Sequence, residues 1–228
     1  IQYWVKDANG EPEMKGGAFG GKTVEGAKGI HGNRLQDWVR QYHQGVKGID
    51  DGVGKLIATL KETGQLENTI IIFMSDHGEM LGDHGIYLKG PHFYEEAVRV
   101  PLIFSWPSQF RSGLQADGLM ELVDIAPTLL EAAGLDIPEA MQGRTLMPIL
   151  RGESDPATHR DHVISEYYNA WSHKHSYGTM LRTNAHKMIV YHGTDQGELY
   201  DLETDPDEFE NLWSTKDCEQ LKTRMLKD

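Results

Sequence analysis

A single cysteine, Cys218, occurs in the 228 residues. One thiol excludes an internal disulfide and a cysteine-rich zinc centre, and it leaves the redox compartment open. No apolar run approaches the roughly 20 residues that a membrane-spanning helix needs. Cations are scarce: 22 Lys and Arg face 35 Asp and Glu, for a formal net charge of −13. Such a surface offers no broad attraction for nucleic acid or an anionic membrane, so neither is expected as a partner. It also repels anionic substrates at long range, so any sulfate or phosphate site must rest on a few local cations. The opening Ile1-Gln2-Tyr3-Trp4-Val5-Lys6 has no initiator Met and no basic-then-apolar leader pattern. The expectation is a processed protein or a piece of a longer one. What remains is ordinary globular composition, 39% hydrophobic and 25% charged. The length suits one large domain, or one domain with a small appendage.

Residues 1–32 are rich in glycine without a sustained period, and read as a loop or connector. From Arg34 to about Lys61, apolar residues such as Leu35, Trp38, Tyr42, Val46, Ile49, Val53, Leu56 and Leu60 recur at three and four, predicting an amphipathic helix with Gly64 beyond its end. Gly45, Gly48, Gly52 and Gly54 weaken that helix intrinsically. Thr69 to Met74 is β-branched and apolar on both faces, which predicts an interior strand of a parallel sheet covered by helices. Val100 to Phe104 reads as a second strand. Asp124 to Ala133 reads as a helix, with Asp124 as N-cap, Pro127 in the first turn and Gly134 just beyond. After Pro156 the texture changes to short strand-like pieces at 162–166, 187–191 and 198–200, then a polar helix at about 214–227. The predicted fold class is α/β with a small α+β appendage, divided as 1–155 and 156–228.

The segment Ser75-Asp76-His77-Gly78-Glu79 follows the apolar run at once. In open α/β sheets, ligands bind beyond the carboxyl ends of strands. An adjacent Asp and His can offer one oxygen and one nitrogen to a divalent ion where the backbone turns sharply, and Gly78, Gly82 and Gly85 permit such a turn. The competing reading is a polar loop in which Asp76 merely caps a turn. Lys89 lies farther along the same loop, where an ammonium could pair with a tetrahedral anion or simply be solvated. His84 and His92 are candidates for substrate contact or proton transfer, as are His173 and His175 in Trp171-Ser172-His173-Lys174-His175. The competing reading, which is favoured, is an ordinary partly buried or surface histidine for His84 and His92 and a solvated loop for His173 and His175.

Asp76-His77-Gly78-Glu79 through Lys89, with Tyr94-Glu95-Glu96 and Arg99-Val100-Pro101-Leu102-Ile103, resembles the metal-and-substrate segment of the sulfatase family, in the alkaline-phosphatase-like superfamily. Further landmarks follow in order: Asp124-Ile125-Ala126-Pro127-Thr128, Gly143-Arg144-Thr145-Leu146, Glu198-Leu199-Tyr200-Asp201 and Asp205-Pro206 before Glu210-Asn211-Leu212. The resemblance covers about residues 33–213. It implies an alkaline-phosphatase-like mixed sheet covered by helices, present here in part. It further implies Asp76 and His77 as ligands of Ca2+, and Lys89 as a sulfate contact. The implied reaction is hydrolysis of a sulfate ester on a sulfated small molecule or saccharide. The resemblance also slightly favours a periplasmic or secreted location.

The family nucleophile is a formylglycine made from Cys or Ser in a Cys/Ser-x-Pro-x-Arg motif, and that motif is absent from these residues. Ser105-Trp106-Pro107-Ser108-Gln109 imitates it but ends in Gln. The expectation is that formylglycine and the remaining metal ligands belong to a missing N-terminal half. Two other readings stand beside the sulfatase: a phosphonate or phosphate ester hydrolase of the same superfamily, and a catalytically dead binding module.

Overall fold

The computed structural model describes residues 3–6, 12–15, 35–86, 88–168 and 177–227. Within the stretch read as a loop, β1 (Tyr3–Lys6) and β2 (Pro12–Lys15) pair antiparallel, Tyr3 opposite Lys15. This corrects the loop expectation. Counting glycines over thirty-odd residues hides a four-residue β-prone run such as Tyr-Trp-Val-Lys.

The helical stripe folds as α1 (Leu35–Glu62). Its end is closed by Gln65 N–H donating to Leu60 O at 2.8 Å and Gly64 N–H donating to Lys61 O at 3.1 Å. Gly64 has φ +67°, the left-handed conformation that this helix ending demands and glycine adopts freely.

Strand β3 (Ile71–Met74) pairs antiparallel with β4 (Leu102–Ser105), Met74 opposite Leu102. Between them stands one turn of helix, α2 (Glu95–Val98). Among the described residues β3 and β4 form a two-stranded sheet, and Phe73 and Met74 are 37% and 43% exposed. The expectation of an interior strand in a parallel sheet is therefore not met. A period-free apolar run reports two apolar faces; it does not report strand direction or what covers either face.

Helix α3 (Ile125–Ala132) and the short α4 (Met147–Leu150) follow, with Gly134 at φ +70° just past α3. Beyond them β5 (Val163–Tyr168), β6 (Tyr177–Arg182), β7 (His186–Tyr191) and β8 (Gly197–Asp201) form an antiparallel meander in that spatial order. Helix α5 (Glu219–Met225) packs on one face, where Met225 meets Leu181, Met188 and Leu199. On the other face Met180, Ile189 and Tyr200 meet Phe93. That contact carries the core of the C-terminal sheet back to the segment just before α2, and so to the site.

Candidate functional site

The chain leaves β3 through Ser75, Asp76, His77 and Gly78, and local bonds force a sharp turn. Ser75 Oγ donates to His77 O at 2.7 Å, and His77 N–H donates to Asp76 Oδ1 at 3.0 Å. Gly78 N–H donates to Ala97 O at 2.8 Å, pressing the turn onto α2. A Cβ on Gly78 would stand 1.8 Å from the Glu96 carbonyl oxygen, so only glycine fits.

His77 Nδ1 lies 2.9 Å from Gly78 O. A carbonyl oxygen only accepts, so Nδ1 carries a proton and Nε2 is the ring nitrogen turned toward Asp76. That Nε2 stands 3.7 Å from Asp76 Oδ2, and the two side chains are 45% and 82% exposed. The positive charge that the His77 ring carries when protonated, followed by backbone N–H groups, holds the Asp76 carboxyl below the usual carboxylate range. Ligand bonds of about 2.0–2.6 Å let two donors this far apart share one divalent cation. The pair fits as part of a coordination shell. Among the described residues no group of three or more His, Cys, Asp or Glu converges to complete one.

Lys89 Nζ lies 3.8 Å from Glu79 Oε2, and the Glu79 side chain is largely buried. Burial pushes the Glu79 carboxyl upward against the pull of Lys89 and His77. The ammonium is thus anchored on one side by a carboxylate and half exposed on the other. Between these residues the backbone is left-handed at Leu81, His84 and Leu88 as well as at Gly82 and Gly85. Non-glycine residues adopt this region rarely, at a cost of order 1 kcal/mol each. Such clustering is characteristic of functional loops.

An open cleft of about 1850 Å³ is walled in part by Asp76, His77, Lys89 and His92, bringing four of the candidates together. His84 is not on that wall. Its ring stacks on Tyr94 at 3.8 Å and on Phe209 at 5.0 Å. His173 and His175 lie outside the described residues. The wall also carries Arg99, Arg160 and Arg182, which sequence reasoning passed over. Arg99 stood inside a quoted motif and could have been found. Arg160 and Arg182 are isolated in the sequence and gave no signal.

Arg160 is held by Asp124, which stands at the N-cap position of α3 as expected but makes no side-chain capping bond there. The Asp124 carboxylate is fully buried and accepts from Glu121 N at 3.0 Å, Arg144 N at 2.7 Å and Arg160 Nε at 3.1 Å, with a further contact from Arg160 Nη2. His159 Nε2 lies 3.2 Å away. Burial pushes this carboxyl upward, but the Arg160 and backbone bonds prevail and hold it low. The residue type suited an N-cap; a better-matched set of donors from distant chain captured it.

Family models match both parts of the chain: the sulfatase model over residues 6–135, and that for N-sulphoglucosamine sulphohydrolase, C-terminal, over residues 82–228. The chain is 34% identical over 198 residues to an N-acetylglucosamine-6-O-sulfatase of Bacteroides thetaiotaomicron, covering 85% of this chain and 35% of that protein. It is 32% identical over 204 residues to an arylsulfatase of Clostridium perfringens, covering 88% and 41%. Among solved structures, one bound to its substrate D-glucosamine-2-N, 6-O-disulfate matches with a TM-score of 0.77 and 31% identity, over 90% of this chain and 43% of that one. The phosphonate monoester hydrolase of Agrobacterium radiobacter matches with a TM-score of 0.78 and 28% identity, over 85% and 40%. The chain spans 35% and 41% of the length of the two curated relatives. Its fold is the α/β, alkaline-phosphatase-like fold of these structures, present in part. By the two family models and the curated relatives alike, the chain belongs to the sulfatase family.

Proposed function

We propose that these residues form the metal- and anion-facing part of a sulfuric ester hydrolase acting on a sulfated carbohydrate or aryl group. The observation that carries this reading is the presence of Asp76, His77 and Lys89 on one cleft, just past the end of β3. In it, Asp76 and His77 would hold a Ca2+ ion, which would supply Lewis-acid polarisation of a sulfate oxygen. Lys89, steadied by Glu79, pairs with another non-bridging oxygen and stabilises charge that grows there. His92 faces the rest of the substrate, with His173 and His175 between β5 and β6; His84 supports Tyr94. The reading also calls for a formylglycine nucleophile and for further carboxylates to complete the cation's shell. The division at 155/156 and a periplasmic or secreted location belong to the same proposal.

The TM-score of 0.78 with a phosphonate monoester hydrolase favours a second reading, cleavage of a phosphonate monoester by the same residues. Assaying the full gene product on 4-nitrophenyl sulfate and on a 4-nitrophenyl phosphonate separates the two. The sulfatase reading expects sulfate to be the better substrate, with Asp76→Ala and Lys89→Ala each lowering kcat/KM about 100-fold. Preference for the phosphonate moves the assignment to the second reading. Turnover of neither ester, nor of a sulfated glucosamine, in a folded protein leaves a binding module and ends both.

A further inference from the structure

Lys187, in β7, is fully buried and stands off the cleft wall. Its Nζ donates to the Phe93 carbonyl oxygen at 2.9 Å and lies 2.7 Å from both Glu95 Oε1 and Glu208 Oε1. The ammonium thus has one hydrogen bond to a carbonyl oxygen and two close ion pairs to carboxylates. Burying a charge without such partners would be strongly unfavourable, so this is a built arrangement. Arg182 Nε reaches the same Glu95 oxygen at 3.0 Å. Glu208 Oε2 in turn accepts the Glu95 backbone N–H at 2.7 Å. Glu208 does so from a left-handed backbone, φ 56°, a strained conformation that its buried contacts hold in place. Burial works against ionised Glu95, but Lys187 and Arg182 outweigh it and keep its carboxyl low.

Apart from the Lys187–Glu208 pair these contacts land on Phe93 or Glu95, the entry into α2, and Glu208 in turn accepts the Glu95 backbone N–H. The far end of α2 bears on the candidate site: the Ala97 carbonyl accepts Gly78 N–H, and the Glu96 carbonyl leaves no room for a methyl group at Gly78. There is no slack between them, and misplacement by about 1 Å is enough to disable a site.

We infer that Lys187 is a positioning residue for the Asp76–His77 pair, acting from the C-terminal sheet through α2 and Gly78. The inference rests on the reading that Asp76 and His77 hold a divalent cation. It extends that reading to a buried residue more than a hundred positions away in sequence.

The test is Mn2+ affinity of the full gene product, followed by electron paramagnetic resonance, with folding checked by circular dichroism. Lys187→Met and the milder Glu208→Gln should each weaken Mn2+ binding about tenfold, as loss of a supporting partner typically does. Should Lys187→Met fail to fold, Glu208→Gln decides. Leu199→Ala truncates the core on the opposite face of the same sheet and should leave the affinity of the folded protein unchanged. The inference is overturned if Glu208→Gln and any folded Lys187→Met bind as the wild type does while Asp76→Ala does not. It is equally overturned if Leu199→Ala weakens binding as much, since the effect would then be general destabilisation. Wild-type affinity in Asp76→Ala removes the cation reading itself, and the inference with it.

Discussion

A methyl group on Gly78 would stand 1.8 Å from the Glu96 carbonyl oxygen, whereas one on Gly134 would meet nothing within 4 Å. Gly134 needs glycine only for its left-handed backbone, φ +70°. The two alanine variants separate close approach from backbone strain. Gly134→Ala should cost roughly 1 kcal/mol, and Gly78→Ala about 3 kcal/mol, read from urea unfolding; only Gly78→Ala should also disturb cation binding. Asp124 yields a second test, this one through pH. Its folded carboxyl titrates below its unfolded value of about 3.9. The stability it contributes is therefore complete above that unfolded value and is lost as pH falls through the lower folded one. The urea-midpoint gap between wild type and Asp124→Asn should be widest near neutrality and contract below about pH 4. A gap that does not change with pH would mean that the carboxylate's charge contributes nothing. Asp76 and His77 stand out in the sequence as candidates because a short motif sits directly after an apolar strand. Asp124, Arg160 and Lys187 do not, since their partners are fixed by the tertiary fold and leave no local spacing to read.

At the scale of elements, legibility followed the regularity of the apolar pattern. The 3.6-residue period over some seven turns located α1 to within a residue at each end. Strand β6 escaped, because Gly178 breaks its β-prone run. The structure explains that glycine: a Cβ there would lie 2.9 Å from the Phe93 ring. Close packing has overridden propensity at that point. Helix α1 shows the opposite case. A Cβ at Gly45, Gly48, Gly52 or Gly54 would meet nothing within 4 Å, so these glycines lower helix stability without a compensating contact among the described residues. Gly48→Ala and Gly52→Ala should each stabilise the helix by about 0.5–1 kcal/mol, seen as greater ellipticity at 222 nm and a higher Tm. A loss instead would show that a partner outside the described residues approaches α1 closely at those glycines.

At the scale of the whole molecule, family membership and composition were legible, while what covers the apolar faces was not. Tyr42, Val46, Ile49 and Leu56 on α1 are 44–57% exposed, and Phe73 and Ile103 on the two-stranded sheet are 37% and 58% exposed. Surfaces of this kind associate. The 228-residue chain by itself should therefore sediment as concentration-dependent oligomers, and Ile49→Lys with Phe73→Lys should shift it toward monomer. Its cation affinity should be weak, because Ca2+ favours about six to eight ligands, mainly oxygens, and Asp76 and His77 offer two donor atoms. Calorimetry should give a Kd above about 1 mM, the weak end of protein calcium sites. Without a Cys/Ser-x-Pro-x-Arg motif there is no formylglycine route to a covalent intermediate, so 4-nitrophenyl sulfate should not turn over. Turnover by the purified chain, abolished by Asp76→Ala, would overturn this and place the nucleophile within these residues. Ser105 would then be the first position to mutate, since Ser105-Trp106-Pro107-Ser108-Gln109 imitates the motif in all but its last residue.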